Sequence, residues 1–305
     1  MRRALITGIN GFVGPHLRRE LNHHGYDVFG IGKGFESNDR DFGVDITDRR
    51  SLRQVCVQVK PDVIFHLAGF SSVAKSWEMP DEAERVNVGG TVMLLDTVSD
   101  LRLKPRLLLV SSADVYGRPP ELPIPENAKL APVSPYGRSR VNQEKLVSTA
   151  HCPVIVARSF NHTGPGQTPT FAVPSYVYQA VRVTNGRQTR ISVGDLSVVR
   201  DLCDVRDIVR AYRLLVEKGR PGEVYNVCSG LGFELRTVLQ SILALLKIDD
   251  RVVVADPKLY RRTDIPALIG DPRKIKAEIG WQTAISFLDK TLPDIIHYWQ
   301  YQEGL

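Results

Sequence analysis

Along the first half of the chain, short and nearly continuous apolar runs alternate with stretches in which apolar residues recur every three or four positions. Residues 4–7 form the first run, and after a glycine-rich turn Val13, Leu17 and Leu21 fall on one helical face. Runs at 26–31 and 62–67 enclose a helix-periodic stretch at 51–59. A helical pattern near 81–99, a run at 107–110, a helix from about Tyr136 and a run at 154–157 follow. This alternation predicts parallel strands joined by right-handed crossovers. Runs without polar alternation predict strands covered by helices on both faces.

After Asn161 the pattern changes, with Pro165, Gly166, Pro169 and Pro174 breaking it. A helix-like stretch at 235–246, a polar stretch at 258–264 and a terminal helical stretch at 288–298 complete the chain. The expected fold is α/β: a Rossmann doubly wound parallel sheet with a smaller C-terminal α/β substrate-binding lobe. Residues 1–162, with about 196–227, are assigned to the dinucleotide-binding Rossmann domain, and about 163–195 with 228–305 to the lobe. At 305 residues the two are expected to share one interlaced body.

Composition bounds the function more than the fold. Hydrophobic residues at 43% and charged residues at 24% exclude a disordered chain. No apolar run approaches a membrane span, and residues 4–6 are too few for the core of a signal peptide. Cys56, Cys152, Cys203 and Cys228 are widely spaced, so neither a disulfide framework nor a thiolate metal site is expected, and a cytoplasmic setting is. The net charge of +6 suits an anionic partner. Its Lys and Arg residues are dispersed, with no basic stripe among aromatics, so a phosphorylated small molecule is expected and neither nucleic acid nor a membrane. His66 and His162 read as structural, and none of the seven histidines has metal-ligand spacing, so no metal is expected.

Gly8, Asn10, Gly11, Phe12, Val13 and Gly14 lie between the first strand and the first helix, where glycines permit a tight turn and close approach to a pyrophosphate. The spacing is G-x-x-G-x-x-G, and its position directly after strand one carries the assignment more than the spacing does. The second strand ends at Gly32 and Lys33, where an NAD site would offer a carboxylate to the ribose. A cation there favours a 2′-phosphate. NADP(H) is the expected cofactor, with NAD(H) the alternative because Asp39, Asp41 and Asp45 follow closely.

Further motifs join the glycine turn: His66-Leu67-Ala68-Gly69, Asn87-Val88-Gly89-Gly90-Thr91, Ser111-Ser112-Ala113-Asp114-Val115-Tyr116-Gly117, Ser134-Pro135-Tyr136-Gly137, Arg158 to Gln167, Arg200 to Val205 and Tyr225 to Gly230. Together they resemble the extended short-chain dehydrogenase/reductases over essentially the whole chain. The second half is most like the branch that reduces GDP-6-deoxy-4-keto-mannose to GDP-D-rhamnose, and next like the GDP-mannose 4,6-dehydratases. The resemblance implies that Ser112 and Tyr136 hold the catalytic serine/threonine and tyrosine positions. It implies further cofactor contacts at Asp45, Ile46, Leu67, Ala68, Gly69, Asn87, Tyr136 and Arg140, and a homodimer formed through helices near 81–99 and 136–149. A phenol beside the reacting oxygen can supply its proton, and Ser112 can hydrogen-bond the same oxygen.

Two departures from the family pattern bear on the chemistry. Four residues after its tyrosine the family has lysine, whereas this chain has Arg140. Moving a phenol from about 10 to about 7 takes roughly 4 kcal/mol, which one charge at ~4 Å and an effective dielectric of ~20 supplies. A planar guanidinium differs from an ammonium in reach and bonding directions, so geometry decides whether Arg140 serves. Arg138 is a substitute cation at a different helical angle. The second departure is Ala113-Asp114, where dehydratases of the family often carry Asp-Glu. Removing water needs a base at one sugar carbon and an acid at the leaving hydroxyl, which a lone shorter carboxylate serves less well, so reduction or epimerisation is favoured, with Asp114 either catalytic or a turn cap.

By the same likeness Arg200 with Asp201, and Arg262 with Asp264, meet the nucleotide diphosphate and its ribose, while Ser71 and Asn161 touch the sugar. The expected activity is NADP(H)-dependent reduction of a nucleotide-linked 4-keto-6-deoxysugar, with GDP-4-keto-6-deoxymannose the preferred substrate. A nucleotide-sugar 4-epimerase or 4,6-dehydratase with tightly held NAD(P), and a non-catalytic dinucleotide- or nucleotide-sugar-binding protein, stay open.

Overall fold

The computed structural model describes residues 1–260 and 265–304. The first half runs β1 (Arg3–Thr7), α1 (Val13–His23), β2 (Asp27–Gly32), β3 (Asp41–Gly43), α2 (Arg49–Val59), β4 (Val63–His66), α3 (Val73–Glu78) and α4 (Pro80–Glu84). A π turn at Arg85–Gly89 leads into α5 (Gly90–Asp100), β5 (Arg106–Ser112), α6 (Pro135–Lys145) and β6 (Val154–Ser159). The remaining elements are β7 (Asn161–Thr163), α7 (Ala172–Thr184), β8 (Ile191–Val193), β9 (Val199–Asp204), α8 (Val205–Lys218) and β10 (Val224–Val227). After them come β11 (Gly232–Glu234), α9 (Leu235–Leu246), β12 (Val253–Ala255), β13 (Ala267–Leu268), α10 (Arg273–Ile279) and α11 (Leu292–Gln302).

Among the described residues the larger sheet has seven parallel strands in the order β3-β2-β1-β4-β5-β6-β10. This is the doubly wound arrangement expected. Strand order reverses between β1 and β4, so the loops leaving these two strands diverge and open a crevice at the carboxyl edge of the sheet. Leu17 and Leu21 of α1 pack with Ile208, Tyr212 and Leu215 of α8 on one face, and Leu52 and Val55 of α2 pack with Leu94 and Val98 of α5 on the other. A second core joins α7, α9 and α11 to β8 and the start of β9.

Several elements were not read from the pattern. Helix α7 contains Pro174, but at its third residue, where the missing N–H has no intrahelical acceptor to lose. Helix α8 carries Val205, Ile208, Val209, Tyr212, Leu215 and Val216 on its buried side, and the Asp204 side chain caps it by accepting from the Arg206 amide at 2.7 Å. The stretch 81–99 is not a single α-helix: the π turn interrupts it and turns Asn87 inward.

Two stretches cross between the bodies, and Cys203 of β9 still packs in the Rossmann core. Strand β9 pairs with β7, β11 and β13 in a separate sheet, and Val198 and Leu202 enter the second core. Conversely, Ile275, Ile279 and Trp281 lie in the Rossmann core, with the indole nitrogen of Trp281 donating to the Asp207 carbonyl at 3.0 Å. The two bodies therefore interlock through crossing chain segments.

Helix α6 is locked to the sheet by a buried ion pair, Arg158 of β6 with Glu144, at 2.8 Å. Ser111 Oγ donates to the same carboxylate at 2.5 Å. Removing one partner of such a pair strands a buried charge. Glu144→Leu is expected to lower the unfolding free energy by about 3–5 kcal/mol, as read by urea denaturation.

Candidate active site

The turn after β1 accepts only glycine at two positions. Gly8 has φ of 76°, and a Cβ there would lie 2.8 Å from the Ala68 nitrogen; at Gly14 it would lie 2.1 Å from the Ile9 carbonyl oxygen. The Gly11 amide closes the turn onto the Gly8 carbonyl at 3.0 Å, and the Gly8 and Ile9 amides both donate to the Ile31 carbonyl. Helix α1 then starts with no side-chain cap and no acidic residue in its first turn. Gly8, Asn10, Gly11, Phe12, Val13 and Gly14 all line a cavity of about 1100 Å³. An uncapped helix start on a cavity wall, carrying the positive end of the helix dipole, fits a pyrophosphate.

At the far end of this wall Lys33 and Asp45 both line the cavity, and they are paired, with Nζ 2.9 Å from the carboxylate. Burial resists ionisation of Asp45, but hydrogen bonds from the Thr47 amide, Lys33 and the Thr47 hydroxyl outweigh it and hold the carboxyl at about 2. Asp41 is occupied by Arg18. Of the acids weighed for the ribose, Asp45 alone is a cavity-lining residue. Ile46, Leu67, Ala68 and Gly69 complete this wall.

Ser112, Asp114, Tyr136 and Arg140 all line the cavity. Ser134 caps α6 by accepting from the Gly137 amide at 3.0 Å, and Pro135 occupies the first helical position. Gly137 lets the helix start press on the turn after β5: a Cβ there would lie 2.7 Å from the Asp114 carbonyl oxygen. The Tyr136 amide donates to Ser76 Oγ at 3.1 Å. Ser112 Oγ donates to the Asp114 carboxylate at 3.1 Å and accepts from its amide at 3.2 Å. One turn on, Arg140 is 5% exposed, its guanidinium carbon 5.2 Å from the centre of the Tyr136 ring. Arg140 donates to Val110 O at 3.1 Å, Gln143 Oε1 at 2.9 Å and Phe70 O at 3.4 Å, while its Nε has no hydrogen-bond partner among the described residues. Arg138 is exposed and is not among the residues lining the cavity.

Two expected contacts face elsewhere. Asn87 is fully buried: its Oδ1 accepts from the Phe70 amide and its Nδ2 donates to Ser139 Oγ, both at 2.8 Å, so it fastens the loop after β4 to α6 rather than lining the cavity. Asp201 is likewise fully buried, accepting from the Ser229 amide and hydroxyl and the Gly230 amide at 2.6–2.8 Å. Burial raises the pKa of its carboxyl despite these donors. It fastens the turn after β10 to β9.

Ser71, Asn161 and Arg200 do line the cavity, and Arg200 donates to the Val199 and Ile265 carbonyls at 2.9 and 2.7 Å. Arg262 and Asp264 lie outside the described residues. Helix α7 adds Val173 and the buried Tyr176, and Lys258 and Tyr260 stand at the rim. The signal for α7 was present in the apolar spacing of Val173, Tyr176, Val177, Ala180 and Val181. Among the described residues, no helix is long and apolar enough to cross a membrane, and no group of three or more His, Cys, Asp or Glu could hold a metal.

The chain belongs to the GDP-mannose 4,6 dehydratase family of extended short-chain dehydrogenase/reductases, whose profile matches residues 5–291. It is 32% identical to GDP-6-deoxy-D-mannose reductase of Pseudomonas aeruginosa, over 98% of this chain and 97% of that one. Among solved structures it is similar to RMD from Pseudomonas aeruginosa complexed with NADPH, with TM-score 0.87, 31% identity and coverage of 99% and 100%. It is also similar to DesIV, a dTDP-glucose 4,6-dehydratase from Streptomyces venezuelae with NAD and TYD bound, with TM-score 0.88, 26% identity and coverage of 99% and 98%.

Beneath the site His66 is fully buried, and burial, reinforced by Arg140, lowers its pKa to about 3. The unfolded chain takes up a proton at this residue near 6.5, and the folded chain does not until about 3. Its contribution is therefore intact above 6.5 and is lost as pH falls towards 3, with a slope of about 1.4 kcal/mol per pH unit. Unfolding free energies measured between pH 6 and 4 should fall less steeply, by about that slope, in His66→Gln than in the wild type.

Proposed function

We propose that the protein reduces a GDP-linked 4-keto-6-deoxyhexose, preferentially GDP-4-keto-6-deoxymannose, with NADPH. The observation that carries this reading is the group formed by Ser112, Tyr136 and Arg140 in a cavity whose other wall is the glycine turn and the uncapped start of α1. NADPH would supply the hydride to the sugar carbonyl carbon. The Tyr136 hydroxyl gives a proton to the oxygen left behind, and the Ser112 hydroxyl hydrogen-bonds that oxygen. Arg140 holds a fixed positive charge against the Tyr136 ring, its guanidinium carbon 5.2 Å from the ring centre, where it favours negative charge developing nearby. Without substrate the single Ser112 proton is given to Asp114, and it turns from that carboxylate to the sugar oxygen when the substrate is bound.

Reduction is favoured over dehydration because the residue beside Asp114 is Ala113, leaving a single carboxylate, already engaged by Ser112, where elimination needs separate acid and base. Arg200 with Ser71 and Asn161 is assigned to the nucleotide-sugar, its guanidinium suiting phosphate oxygens. Lys33 is assigned to the 2′-phosphate, exchanging its pairing with Asp45 for the phosphate. Two copies pair through the α4–α5 stretch and α6, which lie side by side. The reductase named among the relatives and the NADPH complex of RMD support the choice of reaction and cofactor.

Purified protein mixed with NADPH and enzymatically generated GDP-4-keto-6-deoxymannose should consume NADPH stoichiometrically and yield a GDP-deoxyhexose. Absence of oxidation, with NADPH binding verified, would overturn the reaction. Tyr136→Phe should lower kcat by about 10²–10⁴-fold with NADPH affinity retained. Lys33→Ala should weaken NADPH binding roughly tenfold and leave NADH binding within twofold, as read by calorimetry.

A further inference from the structure

The Arg140 guanidinium has two firm anchors, both on one terminal nitrogen: the Val110 carbonyl at 3.1 Å and Gln143 Oε1 at 2.9 Å. The other terminal nitrogen has only the long 3.4 Å contact to Phe70, and Nε has none among the described residues. With Gln143 removed, the guanidinium keeps the Val110 bond and the long Phe70 contact, and its plane is less constrained. Gln143 itself is fully buried, and its amide orientation is determined by its neighbours. Arginine only donates, so Gln143 must present its oxygen to Arg140 and its NH₂ to Thr91 Oγ1, 2.8 Å away.

Thr91 spends its one proton on the Asn87 carbonyl at 2.6 Å and therefore accepts from both Gln143 and His66 Nε2, the latter at 2.9 Å. His66 is thereby an Nε2–H tautomer, and its Nδ1 accepts from the Thr7 hydroxyl at 2.7 Å. Thr7 Oγ1 in turn accepts from the Ala68 amide at 3.1 Å. Thr7 immediately precedes the glycine turn, and Ala68 lines the cavity. The chain Arg140–Gln143–Thr91–His66–Thr7 is buried throughout, and each of its hydrogen bonds has a defined direction.

We propose that Gln143 is a positioning residue that holds the plane of the Arg140 guanidinium beside Tyr136, and that its own orientation is set through Thr91 and His66 by the end of β1. Gln143 makes arginine workable at position 140, where a lysine has one compact ammonium to place. The kinetic part of this inference rests on the reductase reading; the binding part does not.

The test is a double-mutant cycle using Gln143→Leu, near-isosteric and unable to hydrogen-bond, Arg140→Met, and the two combined. The readouts are NADPH affinity by calorimetry, kcat and KM for the ketosugar, and melting temperature. With Arg140 present, Gln143→Leu should weaken NADPH binding about fivefold and lower kcat about tenfold, leaving the ketosugar KM within twofold. In the Arg140→Met background it should change NADPH affinity by less than twofold. NADPH affinity of Gln143→Glu, which keeps an acceptor for Arg140 but has no donor for Thr91 Oγ1, should lie between that of Gln143→Leu and the wild type. An equal loss of affinity in both backgrounds, tracking the melting temperature, or no loss in either, would overturn the proposal. A wild-type protein that binds NADPH but does not turn over the ketosugar would remove the reductase reading, while the affinity cycle still decides the role of Gln143.

Discussion

A buried guanidinium with no carboxylate within salt-bridge reach, among the described residues, constrains everything built around it. Arg140 is 5% exposed, and its acceptors among the described residues are two main-chain carbonyls and one amide oxygen. An ion so placed is expensive to desolvate, and its neighbours are arranged to keep it in one place. Gly69 is part of that arrangement, since a Cβ there would lie 2.7 Å from both an Arg140 terminal nitrogen and Asn87 Oδ1. The loop after β4, the π turn that carries Asn87 and the first turns of α6 meet closely at Gly69, where a side chain would displace the cation beside Tyr136. The local irregularities of the fold serve this junction: the π turn aims Asn87 inward, and Gly137 lets α6 start against Asp114.

The glycine turn was legible in the sequence because it depends on residue type at fixed distances along the chain, whereas Ser112 and Tyr136 were singled out by resemblance to the family. Gly8 and Gly14 announce a turn that no other residue could make, and Ser134-Pro135 announces the start of the helix bearing Tyr136. What was not legible depends on pairing across the chain. Lys33 and Asp45 read as rival signals for the two cofactors, yet they are partners, brought together because β3 pairs in parallel with β2 and Gly32 lies opposite Gly43. Strand β3 is three residues long, too short to leave a periodic signal.

Asp201 shows a different kind of failure, one that a stricter reading of the same residues could have avoided. Arg200 and Asp201 are consecutive on β9, and side chains alternate faces along a strand, so the two cannot both reach one cavity. Arg200 takes the cavity side, and Asp201 binds the Ser229-Gly230 turn. The motif is real, but half of it is architectural. Asn87 is the same case in a helix: its side chain reaches the Phe70 backbone and Ser139, so its importance to the site is mechanical.

This division between touching and holding bears on how an arginine can stand where the family has lysine. An ammonium carries its donors at one point and tolerates small rotations, whereas a guanidinium spreads five donors over a plane and is useful only if that plane is controlled. Control here comes from a polar chain that is fully buried and complete in its proton directions, running from the end of β1 through His66 and Thr91 to Gln143. Because burial and Arg140 itself keep His66 neutral, the chain adds no second positive charge to the site. The cation beside Tyr136 is thus oriented by neutral dipoles, with no carboxylate partner among the described residues to cancel its field.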